Sequence, residues 1–301
     1  MCKIFLKLII IKYIAKIKFV DLRIYYFIYY MKGFNNIGNT CYLNAGLQMI
    51  IHNKDLCDLI INNEKINSDF ENISNLIKTY YNNENGSITP DIIKNIVSKN
   101  NKEFIGFNQN DSFEFIIYFL DYIFELVKND MYEITTKISI KCKLLSCLNK
   151  NIHYEKNNFL LLDINDNTNS LDDCYRYYKS IEKLCDDNLY FCEKCNFKRI
   201  GSKRTEISQW SKHLIIVLKR FNYNGRSQKI NQEIDIPINW RHNYVLKGIV
   251  FHSGSTFGGH YIYIGNHNNK WFIFNDDYIK EISEFELNNY KNNGYIYYYT
   301  L

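Results

Sequence analysis

The sequence predicts an α+β fold, and three observations predict it. Apolar residues recur at helical spacing between about Leu43 and Val127. From Tyr132 onward the apolar pattern alternates or forms short runs, as strands do. Helices come first and strands later, so a helical half should face a sheet half across a cleft.

The elements follow in order. Gly33 to Thr40 crowds Gly33, Asn35, Asn36, Gly38 and Asn39 together and reads as a turn and loop. A helix should follow, since Leu43, Leu47, Ile50 and Ile51 share one face. Residues 55–62, 72–81 and 89–99 also read as helices, with Pro90 suited to a first turn. Asp111 to Val127 is another, with Phe115, Phe119, Tyr122, Ile123 and Leu126 on one side. Ile134, Thr136, Ile138 and Ile140 alternate as in a strand, and Phe159 to Ile164 is a short apolar run. Strands are expected at Leu214–Leu218, Tyr244–Phe251, His260–Gly265, Lys270–Phe274 and Tyr295–Tyr299.

Composition narrows the function. The 301 residues are 46% hydrophobic, enough for a real core, and 13 Gly with 2 Pro leave no evident flexible linker. The abundance of Tyr, Phe, Ile, Asn and Lys points to AT-rich codons and says nothing of function. A net charge of +5 spread along the chain gives no basic stripe, so no nucleic-acid partner is expected. Nine unevenly spaced Cys and no cleavable leader fit a reducing compartment, the cytoplasm or nucleus, with thiols used for catalysis and metal. Residues 1–30 mix apolar runs with Lys7, Lys12, Lys16, Lys18, Asp21 and Arg23. No run reaches the roughly 18–20 residues of a membrane span. They read as sequence outside the domain, which would begin at Met31; a basic membrane-surface segment is the other reading.

The chemistry concentrates at a few positions. Cys41 stands where the Gly/Asn-rich loop enters a helix, a place that favours the thiolate nucleophile. The loop amides and the Asn36 side chain could stabilise an oxyanion. A buried structural Cys is the other reading. His260 follows Gly258-Gly259, and a nucleophilic Cys needs such a base. The stretch His252 to Phe257 before it looks loop-like. A third group must orient the imidazole, and Asn275 or Asp276 at the end of an apolar strand can do so. Side chains alternate along a strand, so only one of the two should face His260. Cys192-Glu193-Lys194-Cys195 has zinc-knuckle spacing, and Cys142 with Cys147 makes a longer second pair. Four thiolates fit a structural zinc site, while a redox pair or plain thiols are the alternatives. Cys57, Cys174 and Cys185 read as structural.

Five segments then resemble one family in its own order. Gly33 to Ala45 resembles the Cys box of the ubiquitin-specific proteases, GLxNLGNTCYMNS. Gln109 to Phe115 is similar to their QQDAHEF segment, and Leu214 to Phe221 (LIIVLKRF) to an internal strand motif. Tyr244 to Tyr261 (YVLKGIVFHSGSTFGGHY) resembles the His box, and Trp271 to Ile279 (WFIFNDDYI) the segment with the third triad member.

The resemblance implies a papain-like cysteine protease fold with a helical thumb, zinc-ribbon-like β fingers and a β-sheet palm, over about 33–130, 131–210 and 211–301 of a domain spanning 31–301. It implies a deubiquitinase that cuts the (iso)peptide bond after the C-terminal Gly of ubiquitin. Its partners would be ubiquitin and ubiquitinated proteins, and the chain itself would work as a monomer. Cys41 would be the nucleophile, His260 the base and acid, Asn275 or Asp276 the orienting residue and Asn36 the oxyanion donor. Asp111 would hold the ubiquitin tail, where a carboxylate suits Arg. Gly258, Gly259 and Tyr261 would line a channel that only a Gly-Gly tail can thread, under a flexible segment from His252 to Gly259. Cys142, Cys147, Cys192 and Cys195 would hold structural zinc, with no catalytic cofactor.

Three departures stand out. The first Cys pair is two residues longer than CxxC, Asn110 and Phe113 replace Gln and His, and Ala45 stands where Ser is usual. A protease for another Gly-Gly-tailed modifier, or a silent ubiquitin-binding module, are the alternative readings.

Overall fold

The computed structural model describes residues 31–82, 86–223, 227–256 and 258–301. The expectations for residues 1–30 lie outside the described residues. No helix among those described is long and apolar enough to cross a membrane.

Five helices build the first half: α1 (Cys41–Ile51), α2 (Lys54–Asn62), α3 (Ser68–Tyr80), α4 (Asp91–Asn100) and α5 (Ser112–Val127). Every residue of α1 is buried, so it is the axis of this half rather than a surface helix. Side chains set several starts. The Asn53 carboxamide accepts from Leu56 N, Asn67 from Phe70 N, and Asp111 from Phe113 N and Glu114 N. The Asn67 cap explains why α3 begins ahead of its apolar periodicity. Pro90 is the residue before α4, not inside it.

Two sheets follow. A four-stranded sheet has the order β2 (Lys150–Asn157), β1 (Ile134–Cys142), β7 (Gly201–Gln209) and β4 (Glu182–Leu184). A hairpin of β5 (Tyr190–Cys192) and β6 (Phe197–Arg199) stands beside it in sequence. The large sheet runs β15 (Tyr278–Ile282), β14 (Lys270–Asn275), β13 (Gly258–His267), β12 (Tyr244–Ser255), β16 (Ile296–Thr300), β8 (His213–Leu218) and β3 (Leu160–Leu162). Short β11 (Asn239–Trp240) pairs with β12, and β9 (Phe221–Tyr223) with β10 (Ser227–Lys229).

The large sheet is covered on both faces. Ile215, Val217, Ile296 and Tyr298 pack into the core shared with the helical half. Leu214, Ile216, Leu218, Tyr297 and Tyr299 pack into a second core with Leu171, Cys174 and Tyr175 of α6 (Leu171–Tyr178) and Leu287 of α7 (Glu284–Lys291). Strands buried on both faces read as unbroken apolar runs, which is how β8 and β16 appear in the sequence.

The stretch 131–210 therefore divides. Its strands β1, β2, β4 and β7 form the separate sheet, whereas β3 and α6 belong to the layers of the large sheet. The expected loop from His252 also needs correction. His252 to Ser255 continues β12, and Gly258-Gly259 already belongs to β13, with Ser253 opposite His260, Gly254 opposite Gly259 and Ser255 opposite Gly258. Polar and glycine residues hid this hairpin end, because backbone pairing rather than apolar alternation holds it.

Candidate active site

The cleft between the two halves holds the expected residues. Cys41 is the first residue of α1 and is buried. The loop before it is folded around Asn36, whose Oδ1 accepts from Gly38 N at 3.1 Å, Thr40 N at 3.1 Å and Thr40 Oγ1 at 3.3 Å. With its oxygen held inside the loop, the Asn36 amide nitrogen must point outward. Gly38 (φ 113°) and Asn39 (φ 50°) make the turn that permits this.

His260 sits near the start of β13, and Asn275 ends the adjacent strand β14. Its Nε2 lies 2.6 Å from Asn275 Oδ1, which leaves Nδ1 for the Cys41 thiol that acts on the ring. The Cys41 thiol, with Asn275 and the Asp276 charge adding to it, raises His260 to about 9 against partial burial.

Asn275 and Asp276 separate. Asn275 ends β14; Asp276 lies in the following turn at φ 53°, which swings its side chain elsewhere. Asp276 Oδ2 accepts from Asn36 Nδ2 at 2.9 Å and Oδ1 from Asn44 Nδ2 at 2.7 Å. Its carbonyl accepts from Phe34 N at 2.9 Å. The chain passes so close here that a Cβ on Gly33 would lie 2.5 Å from the Asp277 backbone.

A cavity of about 440 Å³ opens beside Cys41. Gln109, Asn110, Asp111 and Glu114 line its helical wall, and Phe221, His252, Gly258, Gly259 and Tyr261 its sheet wall. Asp111 is committed within the fold. It accepts from Phe113 N, Glu114 N, Tyr261 Oη at 2.7 Å and Tyr295 Oη at 3.2 Å. Burial nevertheless holds its carboxyl above the usual range. Three of these donors meet Oδ1 and one meets Oδ2, so what the carboxylate keeps for a ligand is charge and one position on Oδ2. A Cβ on Gly259 would lie 2.1 Å from His252 Nε2, so glycine is required there.

Sequence reasoning missed three residues. Glu114 adds a second acidic group to the wall, and its position three after the Asp111 cap is the signal that places both on one side. Asn44 anchors Asp276 from inside α1. His252 is buried, with burial pushing it down to about 4, so it is a neutral wall of the cavity.

Away from the cleft, Cys142, Cys147, Cys192 and Cys195 converge, their sulfurs all within 4.8 Å of one another. The longer first pair closes through a turn in which Cys147 N and Leu148 N both donate to Leu144 O. Cys147 Sγ and Cys192 Sγ are 3.8 Å apart. A tetrahedral ion with metal–sulfur bonds of about 2.3 Å sets sulfurs about 3.8 Å apart, so the cluster can hold a metal ion.

The sequence model of the family described as ubiquitin carboxyl-terminal hydrolase matches residues 32–299. The chain belongs to this family. The relatives include the probable ubiquitin carboxyl-terminal hydrolase 8 of Schizosaccharomyces pombe, 27% identical over 290 residues, covering 86% of this chain and 63% of that protein. Usp2 of Drosophila melanogaster is 24% identical over 89% of this chain but only 34% of its own length. Ubiquitin carboxyl-terminal hydrolase 12 of Salmo salar is 26% identical over 89% of this chain and 88% of its own. The chain thus spans less than two thirds of the first two. Among solved structures, Ubp8 in the SAGA DUB module bound to monoubiquitin superposes with a TM-score of 0.75 at 24% identity, over 90% of this chain and 69% of that one. The same module with ubiquitin aldehyde gives 0.73 at 23%. The fold is the α+β, papain-like fold of the ubiquitin-specific proteases.

Proposed function

We propose that this family member is a thiol-dependent deubiquitinase, hydrolysing the (iso)peptide bond after the C-terminal Gly of ubiquitin. The single observation that carries the reading is that His260 is held 2.6 Å from Asn275 Oδ1 with the Cys41 thiol acting on its ring at the edge of the cleft. In this reading the Cys41 thiolate attacks the scissile carbonyl while His260 holds the proton. Asn36 Nδ2 and the uncapped amides at the start of α1 stabilise the oxyanion. His260 passes its proton to the leaving amine, then takes one from the water that releases the acyl group. Asn275 keeps the ring oriented throughout. Asp111 and Glu114 offer negative charge to the basic residues near the tail, while Gly258, Gly259 and Tyr261 leave room for a glycine backbone only.

The relatives' names and the ubiquitin bound to Ubp8 in its complexes support ubiquitin and ubiquitinated proteins as partners. We propose zinc as the ion of the four-cysteine cluster, in a structural role, and a monomer as the working unit. Reduced thiols at both sites favour the cytoplasm or nucleus. The test is turnover of a fluorogenic ubiquitin C-terminal amide, abolished by Cys41→Ala, with a panel of other modifiers run beside it. No turnover of ubiquitin by the wild-type chain would sink the proposal.

A further inference from the structure

The Gln109 side chain reaches across the cleft. Its Nε2 donates to Gly259 O at 3.2 Å, and its Oε1 accepts from Gly259 N at 3.1 Å. Gln109 stands on the helical wall just before α5. Gly259 stands on the sheet wall directly before His260.

A primary carboxamide presents one donor and one acceptor side by side, as a peptide group does. Paired with the N–H and C=O of one residue, it makes the contact that an added β-strand would make. The Gly259 N–H given to Gln109 is not available to Gly254 across the hairpin, so this backbone faces the cleft. The neighbouring strand β14 pairs with β13 only from Tyr263 onward. The edge of β13 just before that point is therefore open to an extended peptide, and Gln109 occupies it.

We propose that Gln109 is a displaceable latch whose carboxamide stands in for the backbone of the substrate tail on Gly259. The extended tail must take over these two hydrogen bonds to enter, so Gln109 sets the affinity of the cleft for it. This rests on the hydrolase reading above. Two features make the latch easy to release. Gln109 makes no other hydrogen bond among the described residues, so only these two must break. The two glycines also give it access: a Cβ on Gly258 would already come within 3.3 Å of Gln109 Oε1.

The experiment compares wild type with Gln109→Ala on the fluorogenic ubiquitin amide. Loss of two net hydrogen bonds from the free enzyme should lower KM about fivefold to a hundredfold in Gln109→Ala, with kcat within about twofold. An unchanged or raised KM in Gln109→Ala would overturn the latch. A second readout needs no substrate: hydrogen exchange at the Gly259 amide should speed up in Gln109→Ala. Unchanged exchange would overturn the latch by itself. If the wild-type chain fails on ubiquitin while Gly259 exchange responds to the substitution, the hydrolase reading fails and the hold on Gly259 stands.

Discussion

Asn275 and Asp276 are neighbours in the chain but serve different partners. Asn275 Oδ1 lies 2.6 Å from His260 Nε2, whereas the Asp276 carboxylate bridges Asn36 and Asn44. The division comes from the end of β14. A residue in the strand points one way, and the next, in a left-handed turn conformation, points another. One residue thus bears on the proton carrier and the other on the proposed oxyanion donor.

This separation predicts different phenotypes. Asp276→Ala should lower kcat by the same route as Asn36→Ala, each by about 10² to 10³ if a donor is lost. The double variant should cost little more than either single one, because both act through the Asn36 amide. Steady-state kinetics of the three proteins check this. Additive losses would argue that Asp276 acts elsewhere.

The pH profile follows from His260. Its folded value, raised to about 9 chiefly by the Cys41 thiol, lies above its ordinary value of 6.5. The imidazolium contact is therefore fully present below about 6.5 and is lost as pH rises through about 9. kcat/KM should fall on the alkaline side near that value. Asn275→Ala removes one of the raising contacts, so the alkaline limb should move to lower pH. A limb that stays in place would remove Asn275 from the proton relay.

Asp111 allows charge to be separated from capping. Asp111→Asn keeps an acceptor for the α5 amides and the Tyr295 hydroxyl, puts a donor before the Tyr261 hydroxyl oxygen, and removes the negative charge. KM for the ubiquitin amide should rise while Tm changes little. Asp111→Ala also removes the helix cap, which typically costs about 0.5 to 2 kcal/mol, and should lower Tm as well. Thermal melts beside kinetics check the pair.

The four-cysteine cluster should contain about one zinc per chain by metal analysis. Chelation or Cys192→Ser should remove it and lower Tm. The cluster joins the end of β1, the β5–β6 hairpin and their turns, away from α1 and β13. Labelling of Cys41 by a small electrophile should therefore survive metal loss at temperatures where the protein stays folded. A metal-free protein with unchanged Tm would refute the structural role.

Much of the fold is legible in the sequence. α1 and α5 have long apolar faces, and β8, β12, β13, β14 and β16 have apolar runs or alternation that local geometry explains. The helices α6 and α7 escape notice because each has 8 residues and few apolar ones. Their placement depends on caps, Ser170 for α6 and the Ser283–Glu286 capping box for α7, and on packing against the second core. The hairpin end from His252 to His260 is missed for a related reason: cross-strand backbone pairing is not written in side-chain pattern.

The sequence by itself determined the order of helices and strands, the motifs around Cys41, Asp111 and His260, and the two cysteine pairs. These depend on residue type and local spacing, which the chain carries directly. Only the tertiary structure decided which of Asn275 and Asp276 meets His260, that Asp111 already accepts four hydrogen bonds within the fold, and that Gln109 spans the cleft to Gly259. The first depends on where the turn after β14 directs a side chain, and the other two on segments 150 or more residues apart being brought within about 3 Å.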